Sequence, residues 1–92
     1  MQSVNNNYNI ITRTPHVRSR AMKKALVVEN NRDNLKLISY ALQRSGYEVV
    51  AAATGEEGLE LALRESPYFI IMDINLPGID GLETTRRIRR SR

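Results

Sequence analysis

The chain has 92 residues, no cysteine and a net charge of +4. That length limits it to one small domain or part of one, and the missing cysteines exclude disulfides and thiolate metal centres, a usage that suits the cytoplasm. No apolar stretch approaches the ~20 residues needed to cross a bilayer, and no hydrophobic leader follows the N-terminus.

Residues 1–22 are rich in Asn, Ser, Thr and Arg, contain Pro15 and show no sustained period, so they read as a disordered basic tail. Met22, immediately before Lys23-Lys24, would make a natural start, and His16 reads as a solvated tail side chain. Ala25–Val28 is an unbroken apolar run, the pattern of a strand buried on both faces, and Glu29 follows it directly. A polar loop then leads into a helix over Asp33–Arg44, with Leu35, Ile38, Ala41 and Leu42 at helical steps and Gly46 as its left-handed stop. Tyr47–Ala53 reads as the next strand. Thr54, with Glu57 three residues on, opens a second helix whose inner face would carry Leu59, Ala62 and Leu63. Ser66-Pro67 ends that helix, and Phe69–Met72 forms another buried strand that delivers Asp73 to its C-terminal end. Pro77-Gly78 makes a turn, and Asp80 with Glu83 repeats the capping spacing ahead of a third helix with Leu82, Thr85 and Ile88 along one side.

Strand and helix alternate three times, which predicts a three-layer α/β/α fold on a parallel sheet with right-handed crossovers. The expected strand order is 2-1-3, leaving the apolar third strand at an open edge. Such an edge invites pairing with a further strand, from more of the sheet or from a second copy of the chain. The charge is uneven: residues 1–24 hold five bases and no acid, residues 25–82 net −5, and residues 83–92 net +4. The body is acidic, so the high overall pI gives no basic stripe for nucleic acid, and the terminal arginines read as a solvated helix end.

The segments Ala25-Leu-Val-Val-Glu-Asn-Asn31, Gly46-Tyr-Glu-Val-Val, Thr54-Gly-Glu-Glu-Gly-Leu and Ile71-Met-Asp-Ile-Asn-Leu-Pro-Gly-Ile-Asp-Gly-Leu82 together resemble receiver domains of two-component response regulators. The resemblance runs from Lys23 to about Arg90. It implies a flavodoxin-like fold of five strand–helix units, of which residues 23–92 supply the first three, so the chain is expected to be the N-terminal part of a receiver. The remaining units carry, in the family, a hydroxyl residue and a lysine that contact the phosphoryl group.

By resemblance, Asp73 is the phosphoacceptor, and Glu29, Asn30, Asp73 and the backbone carbonyl of Asn75 hold Mg²⁺. The chemistry is consistent with that. A carboxylate can attack phosphorus in line to form an acyl phosphate, and Mg²⁺ takes hard oxygen ligands that neutralise the equatorial oxygens. Two parallel strands lie ~4.8 Å apart, so carboxylates at their adjacent ends would repel without a cation. The departure is Asn30: the family has two acids in succession here, and this chain has Glu29-Asn30. A site of charge −2 instead of −3 should bind Mg²⁺ more weakly.

The expected function is a phosphorylation-controlled switch. It takes its phosphoryl group from a histidine kinase or phosphotransfer protein, and an output domain reads it; it is not an enzyme in its own right. Two other readings stay open: a degenerate receiver that only docks a protein, which Asn30 favours, and an inactive truncated fragment. A nucleotide- or flavin-binding enzyme fits poorly, because Glu29-Asn-Asn-Arg-Asp33 is an acidic loop with no glycine-rich phosphate cradle.

Overall fold

The computed structural model describes residues 8–12, 23–76 and 78–91. The expectations for Pro15, His16, Met22 and Pro77 fall outside those residues. In chain order the elements are β1 (Tyr8–Thr12), β2 (Lys24–Val28), α1 (Arg32–Arg44), β3 (Glu48–Ala52), α2 (Gly55–Glu65), β4 (Phe69–Asp73) and α3 (Gly81–Arg90).

β2 pairs in parallel with both β3 and β4, which reproduces the expected 2-1-3 order of a flavodoxin-like sheet. The path runs outward from β2 to β3 and then back across β2 to β4. Two right-handed crossovers in opposite directions must lie on opposite faces, so α1 covers one face and α2 the other. The reversal leaves a crevice beyond the C-terminal ends of β2 and β4, where open α/β sheets bind ligands.

One element departs from the sequence reading. Residues 8–12, expected to be part of a disordered tail, form a strand antiparallel to β4, with Tyr8 opposite Asp73 and Ile11 opposite Ile70. The sheet is therefore four-stranded in the order β1-β4-β2-β3, and the edge of the third predicted strand is not bare. The physical cause is that edge itself. An apolar strand with a row of unpaired backbone groups accepts any extended segment within reach, and Ile11 adds its side chain to the core at 2% exposure.

The main core lies between the sheet and α2 and α3. Leu26, Val28, Ala52, Ile70 and Met72 come from alternate strand positions and meet Leu61, Leu76 and Ile88. The α2 stripe differs from the expected one: Leu61 and Gly58 face inward, Leu59 and Ala62 pack at the margin, and Leu63 is exposed. In α3 the inward residues are Gly81, Thr84, Thr85 and Ile88, while Leu82 is exposed. The buried hydroxyls carry no penalty, because Thr84 Oγ1 donates to the Asp80 carbonyl at 2.9 Å and Thr85 Oγ1 to the Gly81 carbonyl at 2.7 Å. α1 buries no residue fully and leaves Leu37 and Tyr40 exposed, since it rests mainly on β2 and β3.

The helix ends follow the sequence closely. Asn31 accepts from the Asn34 N–H, Thr54 from the Glu57 N–H and Asp80 from the Glu83 N–H. Glu57 reaches back to the Ala53 N–H, whereas Glu83 turns to Arg86 and Arg87. At the end of α1, Gly46 has φ +94°, its N–H donates to the Gln43 carbonyl, and the Tyr47 N–H donates to that of Leu42, a complete Schellman motif. Lys24 and Glu65, 2.8 Å apart, tie the start of β2 to the end of α2. A groove of about 230 Å³ between β1, α2 and α3, lined by Ile11, Ala62, Ile70 and Ile88, lies toward the N-terminal end of β4, with no titratable side chain among the described residues that line it.

Candidate phosphoacceptor site

Val28 and Met72 are register partners on adjacent parallel strands, so Glu29 and Asp73 leave the sheet side by side into the crevice. The Glu29 N–H donates to the Ala52 carbonyl at 2.9 Å, which extends the ladder to the very end of β2 and fixes where its side chain starts. Both carboxylates are buried, Glu29 at 3% and Asp73 at 9% exposure. Burial pushes the Asp73 carboxyl above the ordinary carboxylate range; the hydrogen bond and charge of Glu29 push the same way, and the Asn75 N–H opposes them.

Each carboxylate is held by a local turn. The Asn75 N–H donates to Asp73 Oδ1 at 2.9 Å, and the Asn31 N–H donates to Glu29 Oε2 at 2.9 Å. Asn30 and Asn75 are both exposed at the rim, and the backbone group that Asn75 turns toward Asp73 is its N–H. The structure thus brings Glu29 and Asp73 together with Asn30 and Asn75 beside them. Among the described residues no cluster of three or more Asp, Glu, His or Cys side chains forms, in keeping with the neutral residue at position 30. The donor set of two buried carboxylates with amide oxygens at the rim fits a hard divalent cation such as Mg²⁺.

The loop after Asp73 is held tightly. A Cβ on Gly81 would lie 2.3 Å from the Asp73 carbonyl oxygen and 2.5 Å from Ile74 Cα, so only glycine lets the start of α3 sit against the strand end. Gly55 plays the same part for α2, where a Cβ would meet Thr84 Oγ1 at 2.3 Å and the Ile79 carbonyl oxygen at 2.6 Å.

Sequence reasoning missed one residue of the site. Tyr8, at the first position of β1, donates its hydroxyl to Glu29 Oε1. Its hydroxyl is pushed up to about 12, first by burial, then by the hydrogen bond and charge of Glu29 and the charge of Asp73, with Asn34 acting the other way. It therefore stays a donor at neutral pH. The signal was present in Tyr8-Asn9-Ile10-Ile11-Thr12, a run rich in strand-forming residues inside a polar tail.

Residues 25–92 match the response regulator receiver domain family. The chain is 41% identical over 70 residues to the alkaline phosphatase synthesis transcriptional regulatory protein PhoP of Bacillus subtilis, covering 76% of this chain and 29% of PhoP. It is 40% identical over 67 residues to the polar-differentiation response regulator DivK of Brucella ovis, covering 73% of this chain and 54% of DivK. The chain thus spans about a third to a half of the length of these curated relatives. Among the described residues no helix is long and apolar enough to cross a membrane. With the switch-point crevice, the paired acids and the matched sequence in agreement, the chain belongs to the response regulator receiver domain family.

Proposed function

We propose that this chain is the acceptor in a phosphorelay, taking a phosphoryl group on Asp73 from a phosphohistidine of a histidine kinase or phosphotransfer protein. The observation that carries the reading is the meeting of the buried Glu29 and Asp73 carboxylates in the crevice between β2 and β4. An Asp73 oxygen attacks phosphorus as the phosphorus–nitrogen bond of the donor breaks; the imidazole leaves with its electron pair and Asp73 becomes an acyl phosphate. Asp73 and Glu29, with Asn30 and the Asn75 carbonyl, would hold Mg²⁺, whose charge offsets that of the phosphoryl oxygens. The Asn75 N–H orients Asp73 by donating to Oδ1.

The chain acts as substrate and switch, not as a turnover catalyst: the added charge of about −2 alters the surface that an output domain reads. Docking without phosphorylation is the second reading, favoured by the neutral Asn30. Incubation with acetyl phosphate and Mg²⁺ decides between them. A hydroxylamine-sensitive gain of one phosphoryl mass, absent in Asp73→Asn, supports the acceptor role, and no gain in the parent chain supports docking. Asn30→Asp should tighten Mg²⁺ roughly tenfold by restoring a carboxylate.

A further inference from the structure

We infer that Tyr8 is a built-in competitor for Glu29, so that the N-terminal strand sets the Mg²⁺ concentration at which the acidic site fills. The inference rests on the metal-binding part of the proposed function. Both Glu29 oxygens are engaged in this structure: Oε1 accepts from the Tyr8 hydroxyl and Oε2 from the Asn31 N–H. The Asn31 bond is a local turn between residues two apart in sequence. The Tyr8 bond is different, because it joins residues 21 apart in sequence and arrives from a strand outside the matched segment, 25–92.

The register explains how the phenol reaches the site. Ile11, opposite Ile70, anchors β1 in the core at 2% exposure, and Tyr8 then falls opposite Asp73 at the crevice end of the strand. Tyr8 is the first residue of β1, so its ring can turn away from Glu29 while Ile10–Thr12 keep their pairing with β4. A hydrogen bond to a charged group is stronger than one between neutral groups. A cation that takes the Oε1 lone pair facing the phenol competes with that bond, which lowers apparent affinity by the fraction of molecules in which the bond is made. Asn34, in the first turn of α1, also hydrogen-bonds the Tyr8 hydroxyl, acting on it in the opposite sense to Glu29.

The test is a titration of Mg²⁺ alone against the whole chain and Tyr8→Phe, followed by calorimetry. Tyr8→Phe, which keeps the ring, should bind Mg²⁺ about tenfold more tightly. Equal or weaker binding in the variant overturns the competition and leaves the metal site standing; no binding by either protein sinks the metal site and the competition together. A second measurement needs no variant. The ring resonances of Tyr8 in the unsubstituted chain should move in step with Mg²⁺ saturation, and a ring unmoved while Mg²⁺ binds would refute the idea.

Discussion

Asp73 keeps its place in the crevice at a cost in stability. Its carboxyl is raised by burial and by Glu29, so the folded form holds the proton to higher pH than the unfolded chain does. The penalty is absent below the ordinary Asp value, develops as pH rises through the raised folded value, and is full above it. Asp73→Asn keeps an oxygen for the Asn75 N–H and removes the charge. The variant should therefore be more stable than the parent at pH 7 without divalent cations, with the difference vanishing in acid, as urea melts at a series of pH values would record. A parent chain as stable as the variant across that range would mean that Asp73 is not strained by its neighbours. Asp73 and Glu29 were legible in the sequence because each follows an apolar run at a strand end. Tyr8 was not, because its role depends on a partner 21 residues away.

At the scale of the element, capping and patterning differ in how well sequence predicts them. The caps at Asn31, Thr54 and Asp80 and the stop at Gly46 are local hydrogen-bond patterns, and each forms as the residues dictate. Which apolar residues face inward is decided elsewhere. Thr85 and Ile88 are buried as their spacing suggests, yet Gly81 must touch the Asp73 backbone, so Thr84 enters the core in place of Leu82. The two faces make opposite forecasts. Ile88→Ala should cost about 3 kcal/mol in a urea melt, whereas Leu82→Ala should stay within about 0.5 kcal/mol. Similar losses for both would put the α3 stripe where the sequence spacing suggested. The same logic applies in α2, where contact between Gly58 and Val28 turns Leu61 inward and Leu63 outward.

For the whole molecule, the question is whether the N-terminal segment belongs to the cooperative unit. Ile11 shares the core with Ile70, Leu61 and Ile88 although it lies outside the matched family segment, 25–92. Ile11→Ala should cost about 3 kcal/mol with an unchanged urea slope. An unaffected midpoint would return residues 8–12 to the status of a tail. The acidic body and basic N-terminal segment meet in space where Lys24 pairs with Glu65, whereas Arg86 and Arg87 pair with Glu83 within α3 itself.

By itself the sequence determined the alternation of strands and helices, the caps at Thr54 and Asp80, the stop at Gly46 and the pair of acids at strand ends. All of these follow from hydrophobic period and from hydrogen bonds between near neighbours. The parallel 2-1-3 order is an expectation from the strand–helix alternation. Only the tertiary structure decided that β1 closes the open edge, that Tyr8 meets Glu29, and which side of α2 and α3 is buried. Those outcomes depend on register between residues as far apart as Tyr8 and Asp73 and on backbone contacts at Gly81. Local propensity carries no information about either, because both arise only when separate elements compete for the same surface.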